Sequence, residues 1–135
     1  MKKTFSIITI FLFTVIFISG CSKDSDTVLT PSPEGNSSPN IPSNPNPTNG
    51  AVNVSHFGIT LRWSCSDPDA NDTLRYDVRY GTTNNPTTLF ASNVLNTSAD
   101  LGTADTSAVI FWKVTAKDNH GLTKDGPVWS FTTGH

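Results

Sequence analysis

The sequence predicts an all-β domain over residues 42–135, built as a seven-stranded antiparallel sandwich. Three observations predict this fold class: apolar and polar residues alternate over several short runs, turn-forming residues separate the runs, and no run repeats with the period of a helix. Such alternation places the apolar side chains on one face of each strand, where two stacked sheets can bury them.

The seven strands are predicted, in chain order, at residues 51–54, 59–65, 74–80, 88–91, 98–101, 109–116 and 128–132. The alternation is clear in strand 59–65, where Leu61 and Trp63 lie between polar neighbours, and strands 74–80 and 109–116 repeat it. Turn signals separate the strands, at Asp67-Pro68-Asp69, Asn84-Asn85-Pro86, Asn119-His120-Gly121 and Asp125-Gly126-Pro127.

Six stretches of residues 42–134 together resemble a bacterial fibronectin type III module. They are Pro45-x-Pro47-x-Asn49-Gly50, Leu61-x-Trp63, Asp67-Pro68-Asp69, Tyr76-Asp77-Val78-x-Tyr80-Gly81, Phe111-Trp112-Lys113-Val114-x-Ala116-Lys117-Asp118 and Gly126-Pro127-Val128-Trp129-Ser130-Phe131-Thr132-Thr133. The resemblance implies an immunoglobulin-like sandwich in which Trp63 anchors the core and Tyr76, Val78, Trp112 and Val114 pack around it. One position departs from the family: Ile110 stands where many such modules have the tyrosine of a tyrosine corner.

The N-terminal segment has the parts of a secretory signal peptide: Lys2 and Lys3, an apolar run, and small residues at a cleavage point. Ile18-Ser19-Gly20-Cys21 resembles the bacterial lipobox, which implies that the Cys21 thiol accepts diacylglycerol and that signal peptidase II removes residues 1–20. The alternative is an uncleaved membrane anchor, but the apolar run is shorter than the ~20 residues of a spanning helix. We therefore expect a lipoprotein anchored to the membrane through Cys21.

A linker rich in Pro, Ser and Asn follows the predicted lipidation site. Residues 22–49 hold six of the nine prolines and no aromatic residue, so they offer little apolar surface to offset chain entropy. We expect residues 21–41 to form an extended, mobile tether. No Asp follows Cys21 directly, which favours the outer membrane under the sorting rule of enteric bacteria, and Lys23-Asp24 is similar to surface-export signals of Bacteroidetes.

Composition and motifs favour a protein without catalytic activity or cofactor. Residues 21–135 carry seven basic and eleven acidic residues and no basic cluster, which argues against a nucleic-acid partner. The sequence contains no nucleophile elbow, Gly-rich phosphate loop or histidine pair at metal spacing. With Cys21 lipidated, Cys65 would have no disulfide partner, and we expect it to be a small buried apolar residue.

The one constellation of ionisable residues is acidic. In a fibronectin-type sandwich the loops after the second and sixth strands lie at the same pole, which would bring Asp67, Asp69 and Asp72 close to Asp118. Oxygen ligands from two loops suit calcium. However, aspartates in such turns also cap their own backbone, and no bidentate Glu is present. We predict that these residues bind no structural calcium.

These features predict a lipid-anchored cell-envelope protein whose module serves adhesion, interaction or spacing. Its expected partners are the membrane, through the lipid, and an envelope protein or a glycan. The alternative is a glycan-capturing accessory lipoprotein of a carbohydrate-processing system, which an exposed row of aromatic residues would favour. Phe111, Trp129 and Tyr80 are the candidates for that row. Core packing is the competing interpretation for each, and alternation places Phe111 opposite Trp112.

Overall fold

In the computed structural model, residues 35–135 are described, and they form two β-sheets. Nine strands follow one another: β1 Ser43–Asn46, β2 Ala51–Val54, β3 Ile59–Ser64, β4 Arg75–Gly81, β5 Thr88–Val94, β6 Ser98–Gly102, β7 Val109–Lys117, β8 Thr123–Asp125 and β9 Trp129–Thr133. Within this part of the chain there is no helix, and hence none that could cross a membrane. The predicted signal peptide, the lipobox and Cys21 lie outside it.

The two sheets differ in size. The smaller has the order β1-β3-β6, and the larger has the order β2-β9-β7-β4-β5, with β8 paired to the end of β7. Strands β4 and β7 form the centre of the larger sheet, with Arg75 opposite Lys117 and Gly81 opposite Phe111. The predicted all-β, two-sheet architecture is therefore confirmed.

The predicted count of seven strands and the purely antiparallel pairing are wrong in detail. Strand β1 was not predicted because its sequence, Ser-Asn-Pro-Asn, has no apolar alternation, and as an edge strand it pairs with β3 through its backbone. Strand β8 has only three residues and a turn-like sequence. Strand β2 belongs to the larger sheet, where it runs parallel to β9, with Ala51 opposite Phe131.

The core lies between the sheets and consists of the residues that the alternation selects. Leu61, Val78, Trp112 and Val114 are fully buried. Trp63, only 4% exposed, meets Tyr76 edge to face at a centroid distance of 5.3 Å. Truncating a buried aromatic of this kind to alanine costs about 3–5 kcal/mol. Ile110, at the tyrosine-corner position, is also buried and extends the apolar core.

One charged side chain is buried within the larger sheet. The Asp77 carboxylate accepts hydrogen bonds from Ser92 Oγ at 3.0 Å and Asn93 N at 2.9 Å, and it pairs with Lys117 Nζ at 2.6 Å. Burial alone would raise the pKa of Asp77, but these donors outweigh it and hold the pKa below its ordinary value. The ionised form of Asp77 therefore stabilises the junction of β4, β5 and β7.

Candidate functional site

The ends of the strands define two poles of the sandwich. At the first, β3 and β7 end and β4 begins; we call this the acidic pole, formed by loops 65–74 and 118–122. At the second, β4 and β6 end and β7 begins; we call this the opposite pole, formed by loops 82–87 and 103–108. The four aspartates singled out in the sequence all lie at the acidic pole.

The acidic pole brings the predicted aspartates close together. One ligand atom from each of Asp67, Asp69 and Asp72 lies within 4.8 Å of the other two, and the same holds for Asp72, Asp118 and His120. Asp69, Asp72 and His120 line a pocket of about 340 Å³ that is open to solvent. The two loops thus converge as the fibronectin-like topology implies, and His120 is a member that the sequence did not suggest.

Asp118 is the most buried member of this cluster, with 7% of its surface exposed. Its Oδ1 accepts hydrogen bonds from the backbone N–H groups of His120 at 2.9 Å and Leu122 at 2.8 Å, and its Oδ2 accepts one from Asn36 Nδ2 at 2.9 Å. Burial raises the pKa of Asp118, but the hydrogen bonds lower the pKa by more, so it lies below the ordinary value. Asp118 therefore joins its own turn to the chain that precedes the sandwich.

That preceding chain, residues 35–41, is here called the leading segment. Ser37 N donates to Asp69 Oδ2 at 2.6 Å, and Asn40 N donates to the Ser66 carbonyl at 2.9 Å. Pro39 is fully buried against the sandwich. The leading segment was predicted as part of a mobile tether, but its polar groups find acceptors on the loops of the acidic pole. The partners Asn36 and Asp118 are 82 positions apart, which no local pattern can show.

Cys65 also contacts the leading segment. Its Sγ donates to the Asn40 carbonyl at 3.2 Å, and the side chain is half-buried rather than part of the central core. Partial burial raises the pKa of the thiol, which keeps it protonated at neutral pH. Cys65 thus acts as a small packing residue and a weak donor.

Protein groups contact one carboxylate oxygen of each of Asp67, Asp69 and Asp72, and Asp69 Oδ2 has its contact from Ser37 N. Asp72 Oδ2 lies 3.2 Å from His120 Nδ1, and Asp67 Oδ1 accepts the Asp69 N–H at 2.9 Å. Asp67 Oδ2 is buried and has no hydrogen-bond partner among the described residues. Calcium takes six to eight oxygen ligands, and Asp67, Asp69 and Asp72 together have six carboxylate oxygens, of which these contacts engage three.

The three aromatic candidates do not form an exposed row. Trp129 is buried and packs on Trp112 at a centroid distance of 4.7 Å. Tyr80 is half-buried and meets Phe90 edge to face at 5.5 Å. Phe111 is half-buried, opposite Ser130 of β9. Core packing therefore accounts for Trp129, whereas Tyr80 and the unpredicted Phe90 lie at the opposite pole.

Comparison with known proteins identifies the fold. No protein-family model and no curated protein matches the chain. An Fn3-like protein from Clostridium thermocellum is 25% identical, with a TM-score of 0.52 over 73% of this chain and 97% of that chain. An α-L-rhamnosidase from Dictyoglumus thermophilum is 18% identical, with a TM-score of 0.58 over 73% of this chain and 12% of that chain.

A second α-L-rhamnosidase, from Streptomyces avermitilis and complexed with L-rhamnose, is 18% identical, with a TM-score of 0.47 over 72% of this chain and 10% of that chain. The chain thus spans only about a tenth of the length of either rhamnosidase. The Clostridium protein is matched over nearly its whole length, and its likeness agrees with the two-sheet topology. The described part of this chain therefore has an Fn3-like fold.

Proposed function

We propose that this chain is a non-catalytic, lipid-anchored protein of the bacterial cell envelope that presents one Fn3-like domain to a partner. The observation that carries the proposal is the attachment of the leading segment to the acidic pole. Asn36, Ser37 and Asn40 all bond to loops at that end of the sandwich. The polypeptide coming from the anchor therefore meets the domain at one defined pole.

This attachment gives the two poles different roles. Gly35 follows Cys21 by fourteen residues, and a fully extended chain of that length reaches at most on the order of 50 Å at ~3.6 Å per residue. The acidic pole is the end to which this tether is joined, and two of its carboxylates, those of Asp69 and Asp118, hold the leading segment. Within residues 35–135, these bonds of the leading segment all lie away from the opposite pole, which is the end at which the domain would meet an envelope protein or a glycan.

The anchor is tested by replacing the predicted lipidation site. Cys21→Ser should abolish incorporation of a fatty-acid analogue, because only a thiol at this position can accept the diacylglycerol. Cys65→Ser is the matched control and should incorporate the label normally. Fractionation and protease shaving of intact cells then test the expected location at the outer membrane and cell surface. Equal labelling of the Cys21→Ser protein would rule out the lipid anchor.

A cavity at the opposite pole favours the second candidate function, a glycan-capturing accessory lipoprotein. It combines aromatic, hydroxyl and carboxylate side chains in one cleft between the sheets. This candidate keeps the lipid anchor and the non-catalytic domain, and it differs from a spacer in having a ligand of its own.

A further inference from the structure

A cavity of about 320 Å³ opens at the opposite pole, between the edges of the two sheets. Tyr80 and Ile110 of the larger sheet and Leu101 of the smaller sheet form its apolar lining, and Phe90 of the edge strand β5 adds a second ring. Its volume is at the lower end of the range for small-ligand sites, about 300–1,000 Å³. The cavity is therefore large enough for a small ring rather than for a peptide segment.

A β-bulge in β5 builds the aromatic wall of the cavity. Arg79 pairs with Leu89 and Val78 pairs with Ala91, so Phe90 is an extra residue without a partner on β4. Phe90 and Ala91 both pack against the core side, whereas Leu89 is 50% exposed. Bulges re-aim side chains in this way and are frequent beside binding sites. Here the bulge turns Phe90 towards Tyr80, and their rings meet at 76°.

Polar groups form the rim of the same cavity. The side chains are Thr82 from the turn after β4, and Thr103 and Asp105 from the loop between β6 and β7. That loop is fixed at two points, since Ala104 N donates to the His56 carbonyl at 3.0 Å and Thr133 Oγ1 donates to the Asp105 carbonyl at 2.6 Å. The part of the rim on this loop is thus held in place before any ligand arrives, which lowers the entropy cost of binding.

We propose that this cavity binds one neutral sugar residue of a glycan. A pyranose has an apolar C–H face that packs on an aromatic ring and a rim of hydroxyl groups that hydrogen-bond to threonine and carboxylate oxygens. The Asp105 carboxylate accepts hydrogen bonds from hydroxyl groups, and it repels sugars that carry carboxylates of their own. A purely apolar ligand would instead leave the polar rim unpaired.

This inference rests on the proposed function for its setting, because the cavity lies at the opposite pole, away from the loops that bond to the leading segment. The binding itself is a property of the domain and does not depend on the anchor. A purified full chain can therefore be tested in detergent micelles without reference to lipidation. If the chain binds no sugar, the sugar site is overturned and the anchor is not. If the chain binds sugar normally but the Cys21→Ser protein incorporates the fatty-acid label as well as the parent does, the anchor is overturned and the sugar site is not.

The experiment is a glycan array that displays neutral and acidic oligosaccharides, followed by calorimetry with the strongest neutral ligand. We expect the full chain to bind neutral glycans and to bind their uronic acid or sialic acid counterparts more weakly. Phe90→Ala should lower the affinity at least roughly tenfold, which corresponds to about 1.4 kcal/mol. Leu89→Ala, on the exposed side of the same strand, is the matched control and should leave the affinity unchanged.

Two exposed rim variants keep the proposal testable if Phe90→Ala fails to fold. Thr82→Val and Asp105→Asn should each lower the affinity roughly threefold or more, as expected for one lost hydrogen bond. Tryptophan emission and circular dichroism should show that both variants stay folded. The proposal is overturned if no neutral glycan binds at millimolar concentration, if only acidic glycans bind, or if binding survives these rim substitutions unchanged.

Discussion

Replacing Asp118 by alanine should both destabilise the domain and release the leading segment from the acidic pole. The substitution removes the acceptor of three donors: Asn36 Nδ2 and the backbone N–H groups of His120 and Leu122. Each donor left without a partner costs about 1 kcal/mol or more when water cannot replace the bond. Because Asn36 can turn towards solvent, we expect a total loss of about 2–3 kcal/mol in the free energy of unfolding.

A conservative variant separates hydrogen bonding from packing at the same position. Asp118→Asn keeps one side-chain oxygen for the backbone donors, and the amide of Asn36 can turn to offer its oxygen instead. We expect Asp118→Asn to lose about 1 kcal/mol, so stability should fall in the order Asp, Asn, Ala. Asp105→Ala removes an exposed carboxylate at the opposite pole and should change the free energy of unfolding by less than about 0.5 kcal/mol.

The assay is urea denaturation of the full chain, followed by tryptophan emission, with the Asn36→Ala variant completing a double-mutant cycle. The cycle should give a coupling energy between Asn36 and Asp118 of at least roughly 0.5 kcal/mol. If Asp118→Ala unfolds at the same urea concentration as the parent, the carboxylate does not hold the acidic pole together. That result would refute the reasoning for the whole pole.

Trp63→Ala should lower the free energy of unfolding by about 3–5 kcal/mol, since it empties the centre of the core, and an unchanged thermal midpoint would contradict this. Stability should also fall in acid. The folded-state pKa values of Asp77 and Asp118 lie below their ordinary values, so the ionised carboxylates stabilise the folded state. Their contribution to stability is complete above about pH 4, the pKa of an aspartate in the unfolded chain, and is lost as the pH falls through the folded-state pKa. Urea denaturation from pH 7 to pH 3 measures this, and a flat profile would count against it. Millimolar calcium should not raise the melting temperature of the chelator-treated chain. A rise that Asp67→Asn removes would reveal a calcium site, because calcium at a hundredfold excess over its Kd would stabilise the folded chain by ~2.7 kcal/mol.

The sequence predicted most of the fold because strand alternation is a local property. Trp63, Tyr76 and Trp112 each occupy a position of period two, and all three are buried between the sheets. The resemblance to a fibronectin-type sandwich placed the aspartates at one pole, since that topology brings the two loops together. What the pattern could not supply was β1, whose pairing depends on backbone hydrogen bonds rather than on apolar side chains.

The remaining features depend on contacts that no short stretch of sequence encodes. Composition predicted a mobile tether up to residue 41, but Ser37 and Asn40 meet acceptors about 30 positions away in the chain. The bulge that turns Phe90 inwards is a register shift between β4 and β5, and alternation within β5 alone does not show it. The candidate glycan cavity was therefore missed, although one of its rings, Tyr80, had been singled out.

The attachment of the leading segment to the acidic pole is the central claim, and amide hydrogen exchange in the full chain tests it most directly. The Ser37 and Asn40 N–H groups donate to Asp69 Oδ2 and the Ser66 carbonyl, so they should exchange at least roughly tenfold more slowly than in an unstructured peptide. In Asp69→Ala the Ser37 amide should lose its protection. If both amides exchange at the unstructured rate in the parent protein, the leading segment is free. That result would contradict the claim that the leading segment is attached to the acidic pole.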